Sequence, residues 1–360
     1  MSRIAVVLPG IMGSILSYNE SGHITEIWGE DFNQNYRRLL KNPDLLKWTG
    51  QVACAKLLET VNVSSLIPFY KLHLWKKSLE LISTINDFQP PGGLIKCGYD
   101  WRPSLTETAP WLINHLSDQI GAPLGSVRPQ GKPTCVFLTH SMGGLLIRIA
   151  IGMDLIHPTW IDRIIHIGSP LEGAPVSFRV AFDRTSLPLL NELLRLFHWK
   201  NYALFKNNLL HCIRSFPSIY ELFPRKELKY IWYSQSAISN PLEENYLSPF
   251  CRYLAETAHS LLAEAERRIV TNKTKTFCIY TAIHESKPTE IMYRIQALGP
   301  PDPGYEIEEV MLTTPHGDGT VPKDSASGAG LSALGKSVLN VEHALLCNSA
   351  SVSEILSTIL

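Results

Sequence analysis

The stretch from Thr134 to Ala150, T-C-V-F-L-T-H-S-M-G-G-L-L-I-R-I-A, restricts the fold more than any other part of the chain. Cys135, Val136, Phe137 and Leu138 form a short apolar run after Gly131, Lys132 and Pro133, which is how a strand buried on both faces of a sheet reads. Polarity changes abruptly at Thr139, His140 and Ser141, and Gly143 and Gly144 follow. Leu145, Leu146, Ile149 and Ala150 then recur at helical spacing, with Arg148 off that face. The pattern predicts strand, tight turn and helix, with Ser141 on the turn. Such an elbow lifts a serine hydroxyl above the carboxyl edge of a sheet and aims free helix N–H groups toward it. Thr139 stands where the G-x-S-x-G pattern has its first glycine, so an ordinary buried strand leading into a glycine-containing helix is the competing reading.

Other segments repeat the alternation of strand and helix. Ile4 to Leu8 is a continuous run of β-forming residues ending in P-G-I-M-G, Pro9 to Gly13. A glycine-rich turn at a strand's carboxyl end leaves backbone N–H groups exposed, and with the residue after Ser141 this makes Ile11 and Met142 candidates for an oxyanion hole, beside the structural turn glycines Gly10, Gly13, Gly143 and Gly144. From Asn19 to Leu94 the pattern is irregular; Leu72, Trp75, Leu79 and Ile82 suggest a helix packed on the sheet. Trp28, Trp48, Phe69, Tyr70, Leu74 and Trp75, with Lys71, Lys76 and Lys77 near, read either as core aromatics or, over 48–75, as a lipid-contacting surface.

Gly98 to Pro103, G-Y-D-W-R-P, follows the short run Leu94 to Cys97 and suggests a structural ion pair between Asp100 and Arg102. Trp111 to Ile120 reads as a helix. Arg163 to Gly168 is the next buried strand, with His166 expected as a satisfied core histidine, and strand–helix–strand order implies a parallel sheet. Between about Val176 and Lys273 the chain is too long for one βα unit; the apolar cluster Leu189 to Phe197 and the R-S-F-P-S-I-Y-E-L-F-P run at Arg214 to Pro224 suit a cap over a greasy pocket. Thr276 to Ala282 and Glu309 to Thr313 restore the strand pattern, and the second runs into T-P-H-G-D-G-T-V-P.

Composition removes several alternatives. Hydrophobic residues make up 45% and charged residues 18% of the 360, enough to bury a large core. Lysine plus arginine and aspartate plus glutamate balance at 33 each with no dense basic run, which argues against nucleic acid as a partner. Seven cysteines, Cys54, Cys97, Cys135, Cys212, Cys251, Cys278 and Cys347, are scattered without C-x-x-C spacing. Neither a disulfide framework nor a zinc site is expected from them, and no metal or cofactor is invoked. Pro9 and Gly10 interrupt the apolar start, so it does not read as a signal peptide, and no run of about 18 apolar residues suggests a membrane span. A cytoplasmic protein is expected, with peripheral membrane contact as the sharper alternative and oligomeric state left open.

The chemistry follows from chain order. In an α/β-hydrolase the nucleophile, acid and histidine come in that sequence. Asp318 lies in a glycine-flanked loop after a strand, and His343, in V-E-H-A-L-L, is the only histidine after it. The expected roles are Ser141 as nucleophile, His343 as general base and acid, and Asp318 as the carboxylate that holds the imidazole. Asp324 and His316 are the reserve choices.

At this point the chain resembles the lecithin:cholesterol acyltransferase-like group of α/β-hydrolases, which includes phospholipases and acyltransferases. The resemblance rests on P-G-I-M-G at Pro9, Y-D-W-R at Tyr99, H-S-M-G-G at His140, G-S-P-L-E-G-A-P at Gly168, P-S-I-Y-E-L-F-P at Pro217, G-D-G-T-V-P at Gly317 and E-H at Glu342, in family order. It implies an α/β-hydrolase fold, a mostly parallel central sheet with helices on both faces and an inserted cap or lid. It also matches Ser141, Asp318 and His343 to the family's triad and Ile11 and Met142 to its oxyanion positions. Residues 1–175 and 274–360 would form two parts of the core, with a lipid-contacting insertion at about 19–94, and residues 176–273 would form the cap. The expected function is a serine acyl-hydrolase or O-acyltransferase on lipid esters, glycerophospholipids foremost. A carboxylesterase for small esters and a non-catalytic lipid-binding module are the alternatives.

Overall fold

The computed structural model of the chain describes residues 2–20, 23–62, 71–88, 93–182, 202–224, 232–234, 237–239, 248–286, 289–294, 296–297, 305–306 and 312–360. Its centre is a sheet of six parallel strands: β1 (Arg3–Leu8), β2 (Gly93–Lys96), β3 (Thr134–His140), β4 (Ile161–Ile167), β5 (Lys275–Ile283) and β6 (Leu334–Leu339), in the spatial order β6-β5-β4-β3-β1-β2. Parallel strands need both faces covered, and alternate residues divide between two cores accordingly. Ile4, Val6, Leu8, Cys135 and Phe137 face one core, whereas Ala5, Val7, Val136 and Leu138 face the other.

Six helices matter for the site: α1 (Phe32–Lys41), α2 (Lys76–Thr84), α3 (Leu105–Ile120), α4 (Met142–Gly152), α5 (Pro249–Thr271) and α6 (Ala350–Ile359). On one face α4 packs between α3 and α5; on the other α2 packs against α6. Every residue of α4 is buried, Arg148 included, because the helix lies under α5 as well as over the sheet. Arg148 therefore pairs with Glu266 of α5 at 2.6 Å instead of reaching water.

Several expectations shift. The helix expected at Trp111 begins at Leu105, since the Ser104 hydroxyl accepts the Thr106 N–H and the Glu221 carboxylate accepts the Leu105 N–H at 2.7 Å. Leu72 belongs to a short strand, Lys71–His73, paired with Thr60–Asn62, and α2 starts only at Lys76. The stretch that reads as irregular holds most of an antiparallel sheet, Ser14–Glu20 between His23–Trp28 and Cys54–Leu57, with α1 in the connection between the last two strands. Asp31 caps α1 by accepting the N–H groups of Asn33 and Gln34.

Trp28 and Trp75 are buried, and Trp48 is half-buried with its ring against the Arg102 guanidinium. Of the residues behind the lipid-contacting reading of 48–75, Trp75 lies in the interior and Trp48 is half-buried, while Phe69 and Tyr70 lie outside the described residues. The expected cap is also divided. Helices at Pro175–Phe182, Tyr202–Ile213 and Pro217–Tyr220 lie toward the site, but α5 packs on α4 and so belongs to the core layer. Leu189 to Phe197 lie outside the described residues, as does the first part of the strand expected at Glu309; its end, Leu312–Thr314, is a strand.

No helix among the described residues is long and apolar enough to cross a membrane.

Candidate active site

The strand order reverses direction between β1 and β3, the kind of place where ligands bind in open parallel sheets. Ser141 stands at the carboxyl end of β3 and Pro9 to Gly13 at that of β1. The Ser141 backbone has φ +52° and ψ −129°, a conformation L residues rarely adopt, and its N–H donates to the Ile167 carbonyl of β4 at 3.1 Å. This strained turn presents the hydroxyl beside Gly10, where a Cβ would come within 2.6 Å of the Ser141 Cβ. Glycine at position 10 is thus what allows the two turns to touch. Gly13, Gly143 and Gly144 are equally crowded, against Pro9, the Leu8 and Pro9 carbonyls, and Ser169 respectively.

The structure brings Ser141, His343 and Asp318 together from positions far apart in sequence. Ser141 Oγ lies 2.9 Å from His343 Nε2, and His343 Nδ1 lies 2.8 Å from Asp318 Oδ2. The other carboxylate oxygen, Oδ1, accepts the N–H groups of Thr320 at 3.0 Å and Val321 at 2.7 Å. Those bonds aim Oδ2 at the imidazole, as the turn chemistry of a short Asp loop requires. The His343 N–H also donates to the Asp318 carbonyl at 3.1 Å. All three side chains are buried. The reserve residues His316 and Asp324 are exposed and outside this arrangement.

Gly168 and His140 complete the surroundings; both stand in motifs read from the sequence, but neither was given a role at the site. Gly168 has φ +59°, and a Cβ there would press on Leu346, on Asp318 Oδ2 at 3.2 Å and on His343 Nδ1 at 3.3 Å. Its motif and its place at the end of the strand beside β3 are the signals that could have singled it out. The His140 Nε2 lies 2.9 Å from the His343 carbonyl, which makes it the protonated nitrogen. Burial, reinforced by the nearby His343, pulls the His140 pKa down to about 3, so the ring is neutral.

Thr139, at the position of the missing glycine, is extended strand with its hydroxyl 2.9 Å from His166 Nδ1. His166 is only half satisfied: its Nε2 meets no partner among the described residues. Burial and the Arg148 charge push its pKa well down. Cys135 and Cys278 are buried, their thiols pushed up to about 12 by loss of water, which fits small core hydrophobes.

An apolar cavity of about 230 Å³ opens over Ser141 and His343. Leu74 and Trp75 line it on one side and Val180, Ile213 and Leu222 on the other, so it is walled by both the 19–94 region and the 176–273 segment. Helix Tyr202–Ile213 rests on α1, with Phe205 against the rings of Phe32 and Tyr36. No group of three or more histidine, cysteine or acidic residues suited to a metal occurs among the described residues.

A parallel sheet flanked by helices, with a serine on a strand-to-helix elbow and a histidine and carboxylate aligned behind it, defines an α/β-hydrolase. The fold of the chain in the Tle4–Tli4 complex agrees, with a TM-score of 0.57 at 12% identity, covering 98% of this chain and 96% of that one. A PGAP1-like alpha/beta domain matches residues 113–213, which span α4 and the elbow. Lecithin-cholesterol acyltransferase-like 4 of Arabidopsis thaliana is 25% identical over 311 residues, 75% of this chain; the chain spans 55% of that relative's length. The chain is thus similar to a PGAP1-like alpha/beta domain and to a lecithin-cholesterol acyltransferase-like relative, both in keeping with its α/β-hydrolase fold.

Proposed function

We propose that the chain is a serine acyl-hydrolase or O-acyltransferase acting on lipid esters, glycerophospholipid esters foremost, through an acyl-enzyme on Ser141. The observation that carries this reading is the hydrogen-bonded line from Ser141 through His343 to Asp318 beneath an apolar cavity. The similarity to a relative named as acyltransferase-like supports the same class.

In this mechanism Ser141 Oγ attacks the ester carbonyl while its proton passes to His343 Nε2. Asp318 accepts the Nδ1–H, which fixes the tautomer and favours the imidazolium that forms. The N–H groups of Ile11 and Met142 receive the oxyanion, each contributing about 3–4 kcal/mol if they behave as known donors do. His343 then returns the proton to the leaving alcohol and the acyl group remains on Ser141. Water or a second alcohol, deprotonated by His343, attacks next and releases a fatty acid or a new ester. The acyl chain occupies the cavity, whose walls offer it apolar contact, and the polar part of the substrate stays outside. A lipid substrate brings the protein to a membrane surface, so peripheral contact from the cytoplasmic side belongs to the same proposal.

The test is incubation with labelled phospholipid vesicles, with and without an alcohol acceptor, followed by product analysis. Fatty acid alone marks a hydrolase and a new ester marks transfer. Equal turnover of a short water-soluble ester and of bilayer lipid points to the small-ester alternative. Fluorophosphonate is expected to modify the wild-type chain and not Ser141→Ala; an unmodified wild type removes the enzyme reading and leaves lipid binding.

A further inference from the structure

The turn that carries Ile11 is tied down by unusually many side-chain donors. Tyr99 donates its hydroxyl to the Pro9 carbonyl at 2.9 Å, Trp28 its indole N–H to the Met12 carbonyl at 3.1 Å, and Trp101 its indole N–H to the Ser14 carbonyl at 3.3 Å. Backbone bonds take two further carbonyls, Gly10 from the Gly13 N–H at 3.1 Å and Gly13 from the Leu58 N–H at 2.9 Å. All three aromatic side chains are buried. They are anchored in turn: the Tyr99 N–H donates to Ser14 Oγ, and Asp100, between Tyr99 and Trp101, is locked to Arg102 at 2.7 Å.

Within a planar trans peptide the C=O and N–H point in opposite directions, so fixing one fixes the other. The Gly10 carbonyl and the Ile11 N–H belong to a single peptide unit. Tyr99 holds the unit before it, and Trp28 holds the carbonyl of Met12, whose φ of +60° is a conformation a methionine would otherwise leave. We infer that Tyr99, Trp28 and Trp101 form a clamp that preorganises the Ile11 N–H as an oxyanion donor, which makes them positioning residues for acyl transfer at Ser141. The inference rests on the proposed nucleophile. An oxyanion donor works when it sits about 2.7–3.1 Å from the place the charged oxygen will occupy. A turn free to rotate there binds substrate as before and stabilises the tetrahedral species less.

The experiment uses the purified full chain, wild type, Tyr99→Phe and Trp101→Phe. Tyr99→Phe removes a hydroxyl that does not line the cavity; Trp101→Phe removes a different donor, also away from the cavity, and carries the same test if the first variant does not fold. Two ligands with the same acyl chain are compared: a trifluoromethyl ketone, which adds a serine oxygen and generates an oxyanion, and the matching secondary alcohol, which does not. In the folded variants the ketone is expected to weaken and kcat to fall about 10-fold or more, in line with the sensitivity of preorganised sites to small displacements. Alcohol binding and KM stay within about 2-fold, the pattern of a loss confined to the transition state. Unchanged kcat and ketone affinity in a folded variant overturn the clamp, and so does an equal loss for ketone and alcohol, which is a packing defect. Fluorophosphonate labelling separates the two ideas: a labelled wild type with unaffected variants removes the clamp alone, whereas an unlabelled wild type removes the nucleophile and the clamp together.

Discussion

Gly168 sets the tolerance of the site at the level of a single atom. Its φ of +59° excludes most side chains, and the space where a Cβ would go is bounded by the two atoms of the His343–Asp318 hydrogen bond. Gly168→Ala is expected to cost about 1–2 kcal/mol from the backbone alone and to push the imidazole off the carboxylate. Turnover should fall further than the melting temperature implies, read as kcat beside thermal unfolding. A melting shift with undiminished kcat would mean the hydrogen bond absorbs the methyl group. Ser141, Asp318 and His343 could be named from turn chemistry and chain order, and they do meet in space. Gly168 and His140 fall in motifs the sequence shows, but their roles could not be assigned, because what they do depends on which backbone lies across from them.

Among elements, the Gly98 to Pro103 segment joins the 19–94 region to the sheet. The Arg102 guanidinium is fully buried, pairs with Asp100 and donates to the carbonyls of Leu46, Lys47 and Gln51, while Asp100 accepts the Ala53 N–H at 2.8 Å. Asp100→Ala leaves a buried guanidinium without its counter-charge and is expected to cost about 3–5 kcal/mol, measured by denaturant unfolding. Replacing both partners, as Asp100→Leu with Arg102→Met, should not restore the wild-type value, because three carbonyls still lose their donor. Full recovery would show that those carbonyls find water. The central strands were legible because a parallel sheet covered on both faces writes continuous apolar runs, as in Ala5 to Leu8 and Cys135 to Leu138. The antiparallel sheet of Ser14–Glu20 was not, since its strands mix exposed polar residues with buried ones. The start of α3 was missed for another reason: Pro110 lies inside the helix and reads as its boundary, although Ser104 caps it locally and the Glu221 carboxylate, more than a hundred positions away, takes the Leu105 N–H.

For the molecule as a whole, two kinds of buried titratable group shape stability against pH in opposite senses. Burial raises the Glu221 carboxyl to about 8, although the Ser104 hydroxyl and the N–H groups at the start of α3 oppose the shift. Its folded pKa lies above the unfolded one, so its contribution is complete below the ordinary carboxyl range and is lost as pH rises through about 8. His140 is depressed to about 3 and His166 lies well below its ordinary value. Unfolding lets both take up protons, so stability falls as the solution is acidified below the ordinary histidine range. The melting temperature should therefore peak in mildly acidic solution. Glu221→Gln is expected to flatten the alkaline side and, because Glu221 opposes the histidines from the ordinary carboxyl range upward, to steepen the acid side, checked by melting curves from about pH 4 to pH 9. An unchanged alkaline slope in that variant assigns the effect to another group.

The backbone at Ser141 carries a cost that no neighbour removes: φ +52° and ψ −129° suit a residue without a side chain. Ser141→Gly should accordingly melt higher than the wild type, by the equivalent of about 1–2 kcal/mol, while forming no covalent adduct. Thermal durability alone would favour glycine at this turn, and a hydroxyl held there at such a cost fits the nucleophile proposed for it.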